Sequence, residues 1–297
     1  MSRRPFQLIA ACALVPVALA PPTGIAGQSP DTDVYLAEIS SSGASVSFAG
    51  WTNVTAREGY DNQPSFTPDS RAVLYTVQED GQTDIYRYDV ETGSTSRVTD
   101  TPESEYSATV MPDGERFSVI RVEADSTQRL WSFRMDGSSP ELVLTDVAPV
   151  GYHAWLDDTT LGLFVLGQPA TLRIADVTTG EATLRAHAIG RSLHRVPGRT
   201  AVSFLHRDGG IATLRTLDPH SGTARVIGEP VAGSQDYAWT PDGVILMGSG
   251  SRLYALDPLT DTEWREVADL ADAGIDGITR LAVSPDGRRI AVVANGS

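Results

Sequence analysis

The sequence LAVSPDGRRIAVV, residues 281–293, combines an apolar strand, a Pro-Asp-Gly turn and a second apolar strand. Related turn signals recur along the chain and begin at Pro68, Pro112, Leu156, Pro197, Pro241 and Pro285. Successive signals are 44, 44, 41, 44 and 44 residues apart. A repeat of this length with strand-like flanks is typical of chains that arrange four-stranded sheets around an axis.

Each repeat contains four strand-like segments. The second segment, as in residues 72–75 and 117–120, is mostly apolar and β-branched. The third segment alternates between apolar and polar residues and ends at a turn. An aspartate, such as Asp176 or Asp218, opens this turn. Such an aspartate can accept a hydrogen bond from an amide two residues on, so its recurrence requires no metal. We predict an all-β fold, a six-bladed β-propeller of four-stranded antiparallel blades.

The two ends of the chain complement each other. After the last turn signal only one strand remains, whereas residues 32–39 match residues 83–90 and residues 52–55 match residues 96–99. The chain therefore supplies the two outer strands of one blade first and its two inner strands last. This two-plus-two closure leaves no open edge in the ring. We predict a single propeller domain over residues 28–297.

Residues 1–27 have the features of a secretory signal peptide. Two arginines precede an apolar stretch over residues 8–20, and small residues follow it up to Gly27. We therefore predict a periplasmic or secreted protein. The alternative is a form that is lipid-anchored through Cys12, because Ile-Ala-Ala-Cys matches the pattern that precedes a lipid-modified cysteine.

Composition limits the classes of partner. The formal net charge is -15, and loss of the two arginines within residues 1–27 leaves -17. Nucleic-acid binding requires a basic face, so we expect no nucleic-acid partner. The apolar stretch is short and Pro16 interrupts it, so we expect no membrane span. Cys12 is the only cysteine, which excludes an intrachain disulfide. We expect a monomer without a cofactor, with a protein or peptide as partner.

The innermost strand of each propeller blade lines the central channel, and here these strands directly precede the turn signals. Three residues before the signals stand Ser65, Thr109, His153, His194, Ala238 and Ala282. Alternation along a strand predicts that these six side chains share one orientation. The histidines at 153 and 194 are therefore candidate ligand-binding residues that could face each other around a metal or an anion. No third ligand is visible, so we predict no metal site, and polar channel residues with bound water are the alternative.

Trp155 and Trp239 are the other candidate ligand-binding residues. They stand one and two residues before their signals, with Tyr152 and Tyr237 nearby. Aromatic rings in these positions could form a platform for a carbohydrate or a peptide at the channel mouth. Packing between blades is the alternative interpretation.

The sequence predicts no catalytic residues. A nucleophile elbow needs glycines two residues before and after a serine, and no serine of this chain has them. The carboxylate pairs at residues 79–80 and 157–158 lie in turns, where nothing nearby would raise a pKa for acid catalysis.

The Pro-Asp-Gly turns at Pro112, Pro241 and Pro285 resemble the TolB-like propeller repeat, a Pro-Asp relative of the WD repeat. The resemblance covers about residues 32–295 and implies a six-bladed propeller, but it leaves the ligand open. We expect an exported, non-enzymatic binding or scaffold protein that engages a protein, peptide or envelope polymer at one ring face. The alternative is a hydrolase or lyase of the propeller type that uses polar channel residues.

Overall fold

The computed structural model describes residues 30–42 and 45–296. The chain begins with β1 (Thr32–Ser42) and β2 (Ser45–Asn53). Blade 1 contains β3 (Asp61–Phe66), β4 (Ala72–Glu79), β5 (Gln82–Asp89) and β6 (Thr95–Arg97). Blade 2 contains β7 (Ser104–Val110), β8 (Arg116–Val122), β9 (Gln128–Arg134) and β10 (Glu141–Leu142). Blade 3 contains β11 (Val150–Trp155), β12 (Thr160–Val165), β13 (Thr171–Asp176) and β14 (Ala182–His187).

Blade 4 contains β15 (Ile189–Arg195), β16 (Val202–Asp208), β17 (Ile211–Leu217) and β18 (Ala224–Gly228). Blade 5 contains β19 (Tyr237–Trp239), β20 (Ile245–Ser249), β21 (Arg252–Leu256) and β22 (Arg265–Asp269). A short 3-10 helix (Ala271–Ala273) leads to β23 (Arg280–Val283) and β24 (Arg289–Asn295). In blades 1 to 5 the strands pair in chain order, and every pairing is antiparallel.

Blade 6 joins the two ends of the chain. Its strand order is β2-β1-β24-β23. The β1–β24 ladder is antiparallel and extends from the pair Thr32–Asn295 to the pair Glu38–Arg289. The predicted six-bladed antiparallel propeller with two-plus-two closure is therefore confirmed.

The repeat also preserves side-chain hydrogen bonds in the outer strands. In blade 6 the amide of Val34 donates to Thr55 Oγ1 at 3.0 Å, and in blade 1 the amide of Ile85 donates to Thr99 Oγ1 at 2.8 Å. These partners occupy matching positions in the segments that the sequence aligned. The N-terminal strands are thus true equivalents of the outer strands of the other blades.

The core lies between the blades. Leu74 and Ile85 of blade 1 pack against Phe117 and Phe133 of blade 2, and the two phenyl centroids are 5.6 Å apart. Burying a large apolar side chain stabilises a fold by about 1.5–3 kcal/mol relative to exposure. Since the chain has a single cysteine, these faces supply the cohesion that no intrachain disulfide can provide.

One hydrogen bond closes the turn after each innermost strand. Its donors are the amides of Thr67, Met111, Leu156, Val196, Thr240 and Ser284. In five blades this donor directly precedes the proline of the signal, but in blade 3 the donor is Leu156 itself, so Asp157 takes the place of the proline. The predicted register of blade 3 was therefore wrong by one residue.

The aspartates that open the second turn of a blade bind backbone amides, as predicted. The Oδ1 acceptors and amide donors are Asp136 with Ser138 at 2.9 Å, Asp176 with Thr178 at 2.8 Å and Asp218 with His220 at 3.0 Å. The Thr178 hydroxyl also donates to Asp176, and these bonds lower the pKa of that carboxyl. Turn geometry thus accounts for the recurring aspartates.

Within residues 30–42 and 45–296, no helix is long and apolar enough to cross a bilayer. The predicted signal peptide over residues 1–27, including Cys12, lies outside these ranges.

Candidate ligand-binding site in the channel

The innermost strands β3, β7, β11, β15, β19 and β23 surround a channel of about 900 Å³. All six strands run in the same direction and end at the signal turns. One end of the channel therefore lies at prolines such as Pro112 and Pro241, and the other at the beginnings of the strands, where Tyr152, Arg191 and Arg280 line the wall. The four candidate residues from the sequence also line this channel.

His153 and Trp155 both face blade 2 and share one serine. Ser118 Oγ donates to the carbonyl of Thr109 at 3.2 Å and accepts from Trp155 Nε1 at 2.9 Å. It lies 2.6 Å from His153 Nε2, and because its own proton points to the Thr109 carbonyl, it accepts a hydrogen bond from that nitrogen as well. Burial lowers the pKa of His153 to about 3, and the ring is a neutral donor at neutral pH.

The interface between blades 4 and 5 repeats this arrangement. Ser203 Oγ donates to the carbonyl of His194 at 3.2 Å and accepts from the Tyr237 hydroxyl at 3.0 Å and from Trp239 Nε1 at 2.8 Å. His153 and Tyr237 both stand three residues before the turn donor of their blade. Both side chains therefore bind a serine on the second strand of the preceding blade.

His194 faces the opposite way, towards blade 5. Its Nε2 lies 3.0 Å from Ser192 Oγ, and its ring centroid is 4.7 Å from that of Tyr237. Burial lowers the pKa of His194 to about 4. The prediction that His153 and His194 could face each other is therefore wrong. A register error of one residue moves a side chain to the other face of a strand, and blade 3 had that error.

The two tryptophans belong to blades 3 and 5, and each indole N–H is bound between blades. Trp155 is buried, whereas Trp239 is half-buried at the channel wall. These bonds correspond to the packing interpretation of both residues. Their role in ligand binding stays a prediction. A ligand in the channel could reach Trp239 more readily than Trp155, because Trp239 is only half-buried.

The start of the inner strands holds a group of charged residues that the sequence did not single out. Arg191 Nε donates to Asp236 Oδ1 at 3.0 Å and to Oδ2 at 3.2 Å, and its Nη2 also donates to Oδ2. Arg280 Nη1 lies 4.0 Å from Asp236 Oδ1, and Arg280 Nη2 donates to the Tyr152 hydroxyl at 2.8 Å. Two guanidinium groups thus share one carboxylate. We call Tyr152, Arg191, Asp236 and Arg280 the arginine cluster.

The surroundings of the arginine cluster are polar but neutral. Tyr60 lies within electrostatic range of Arg280, Tyr152 and Arg191, and burial raises its pKa to about 12, so the phenol keeps its proton. The low pKa of His194 leaves that ring uncharged at neutral pH. Within the described residues, Asp236 is the only carboxylate that pairs with either arginine. The cluster therefore carries one excess positive charge.

The sequence named Tyr152 as an aromatic neighbour of Trp155, but it missed the three charged members of the arginine cluster, because they stand farther from the turns. Tyr152, Asp236 and Arg280 stand four residues before the turn donors, whereas the sequence analysis compared side chains that stand two or three residues before those donors. The available signal was a charged residue at the start of a strand that is otherwise apolar, as Arg280 is. Within the described residues, no three His, Cys, Asp or Glu side chains are placed to hold a metal ion.

No family model matches the sequence, and no curated protein matches it. The structure of a putative TolB from Agrobacterium tumefaciens is similar, with a TM-score of 0.71 at 15% identity over 90% of this chain and 98% of that chain. TolB from Acinetobacter baumannii gives a TM-score of 0.58 at 12% identity over 89% of this chain, which matches 64% of that longer chain. An oligogalacturonate lyase in complex with manganese gives 0.55 at 17% identity, over 88% of this chain and 78% of the other.

At these identities the similarity establishes the fold. The chain is a six-bladed β-propeller that is similar in fold to these TolB structures, as the Pro-Asp turns indicated. Because the same fold appears in a protein described as a lyase, it does not by itself separate a binding protein from an enzyme.

Proposed function

We propose that this propeller is an exported, non-enzymatic binding protein that receives a segment of a protein or peptide at the channel end formed by the arginine cluster. The observation that carries this proposal is the excess positive charge in the channel of a chain whose formal net charge is -15. A localised charge of opposite sign selects and orients a partner more than it supplies bulk affinity. Export is supported by the signal-peptide features of residues 1–27.

The state of the polar channel residues supports binding over proton transfer. His153 donates to Ser118 and has a pKa of about 3, which makes it a weak base. Asp236 is engaged by Arg191 in three hydrogen bonds. A general base works best when its pKa lies near the working pH, and the pKa of His153 lies well below it.

The test is capture of a partner from envelope extract of the source organism by residues 28–297. Arg280→Gln removes one of the two guanidinium groups of the arginine cluster. Arg225→Gln removes an equal charge from an exposed position on β18. We expect the wild type and Arg225→Gln to retain one stoichiometric partner and Arg280→Gln to lose it. Thermal melts establish that all three proteins are folded.

Two results would contradict the proposal. Equal capture by Arg280→Gln would show that the partner binds elsewhere on the ring. Turnover of a glycan or lactone panel by the wild type, with no partner captured, would favour the hydrolase or lyase alternative.

A further inference from the structure

We infer that the arginine cluster is a binding site for a single carboxylate, which rests on the proposed function in that a peptide partner would present this group. The first argument is charge. Arg191 and Arg280 are opposed only by Asp236 within the described residues, and the hydrogen bonds with Asp236 raise the pKa of Arg191 further. One monoanion would neutralise the excess positive charge.

The second argument is the number of unused donors. A guanidinium group has five N–H donors, and the hydrogen bond to Tyr152 uses one of those on Arg280. Arg280 Nε and Nη1, and Arg191 Nη1, form no hydrogen bond with the described part of the protein. The Arg280 side chain is only 15% exposed. None of these three nitrogens is among the buried side-chain atoms that lack a partner, so they face the channel, where an anion could accept their hydrogen bonds.

The third argument is the geometry around Arg280. Its guanidinium carbon lies 5.0 Å from the centroid of the Tyr152 ring, and its Nη2 is tied to the hydroxyl of the same residue. The tyrosine thus holds the guanidinium in one orientation. Because that hydroxyl oxygen accepts from Arg280, its own proton is available for a ligand oxygen. A planar carboxylate suits such a set of donors, since paired oxygens match the guanidinium fork.

The class of anion follows from the charge balance. A carboxylate brings one negative charge, which leaves the site neutral, whereas doubly charged phosphate would leave it negative next to Asp236. The channel volume of about 900 Å³ admits several residues of a peptide along with the carboxylate. The source of the carboxylate is either a chain terminus or an acidic side chain, and the experiment separates these.

Binding to residues 28–297 is measured by calorimetry at constant ionic strength. The probes are acetate, inorganic phosphate, the tripeptide Ala-Ala-Ala with a free C-terminus, its C-terminal amide with an acetylated N-terminus, and N-acetyl-Ala-Glu-Ala amide. We expect acetate to bind, and we expect no binding of the acetylated Ala-Ala-Ala amide, which has no carboxylate. One of the two peptides with a carboxylate should bind more tightly than acetate. Whichever peptide binds identifies the source.

Variants connect this binding to the cluster. Loss of a charge-assisted hydrogen bond costs about 1.5–3 kcal/mol, so Arg280→Gln should weaken carboxylate binding by about tenfold or more. Arg225→Gln should leave it unchanged. Asp236→Asn removes the carboxylate that competes with the ligand for the two arginines, so it should tighten carboxylate binding. Loss of structure would not produce tighter binding. Thermal melts of each variant establish the folded fraction.

The inference is overturned if no carboxylate binds, if phosphate binds more tightly than acetate, or if folded Arg280→Gln binds carboxylates as the wild type does. Its failure is distinct from failure of the proposed function. Carboxylate binding without a captured partner would support the anion site alone. Capture of a partner without carboxylate binding would support the binding protein alone.

Discussion

At the scale of the residue, distance from the turn hydrogen bond decides what an inner-strand side chain contacts. His153 and Tyr237 stand three residues before Leu156 and Thr240, and each bonds a serine of the preceding blade. His194 stands two residues before its turn donor and faces the following blade. The two histidines have the same chemistry but different surroundings, because strand side chains alternate between the two faces.

The buried state of His153 predicts a pH dependence of stability. Its pKa is near 6.5 in an unfolded chain and about 3 in the folded protein. Between these values the unfolded chain binds more protons, so the free energy of unfolding falls as the pH drops below about 6.5, by up to ~1.4 kcal/mol per pH unit. His153→Tyr keeps a donor for Ser118 and does not titrate in this range. Between about pH 7 and about pH 4.5, the free energy of unfolding of His153→Tyr should therefore fall by ~2 kcal/mol less than that of the wild type.

Urea unfolding at a series of pH values measures this difference. Burial raises the pKa of Asp61 to about 6 and that of Glu105 to about 7, and these carboxyls act in the opposite direction. Their contribution is common to both proteins and cancels in the comparison. His220→Tyr, at an exposed turn position, is the matched control and should follow the wild type. A His153→Tyr protein with the wild-type slope would contradict a buried neutral His153.

At the scale of the element, strand β1 determines whether the ring closes. It lies between β2 and β24 and pairs with both. Val34, Leu36 and Ala37 of this strand are buried. Without β1, strand β24 would become an unprotected apolar edge, which is a template for association between chains.

Closure can be tested by deletion and by circular permutation. Deleting residues 31–51 should give aggregated or unfolded protein, because it removes β1 and most of β2. In the permuted chain, residues 57–295 continue through an Asn-Gly turn into residues 32–56. Since Thr32 and Asn295 are paired, the turn completes an antiparallel hairpin and all four strands of blade 6 remain.

We expect the permuted chain to melt cooperatively within a few degrees of the wild type, as circular dichroism would report. A soluble, cooperatively melting deletion product would contradict the role of β1 in closure. An unfolded permuted chain would show that the covalent link between blades 6 and 1 is needed as well.

At the scale of the whole molecule, charge is distributed unevenly. The chain has a formal net charge of -15, whereas the arginine cluster in the channel is positive. Like charges on a compact chain repel each other, and salt screens this repulsion over about 10 Å at 0.1 M. The surface therefore disfavours anionic partners in general, and the channel end is a local exception.

Net repulsion predicts that salt stabilises the fold. Raising NaCl from about 0.01 M to about 0.2 M should increase the melting temperature of residues 28–297 by a few degrees. KCl should give the same increase, because screening does not depend on the identity of the cation. A decrease in the melting temperature would mean that the ion pairs of the fold outweigh the repulsion between its carboxylates.

The sequence by itself determined the number of blades, their antiparallel strands, the aspartate turns and the closure by β1 and β24. These features follow from local chemistry, namely alternation, turn residues and a period that repeats along the chain. The same local reasoning failed in blade 3, where no proline marks the turn and Asp157 stands in its place. Only the turn hydrogen bond of Leu156 revealed the correct register.

Only the tertiary structure decided the composition of the channel. Arg191 and Asp236 are 45 residues apart in the chain, and Tyr152 and Arg280 are 128 residues apart. Closing the ring brings them into contact across several blades, and no local pattern encodes which of them meet. The repeat therefore fixes the scaffold, whereas the site depends on residues that differ from one blade to the next and meet only when the ring is closed.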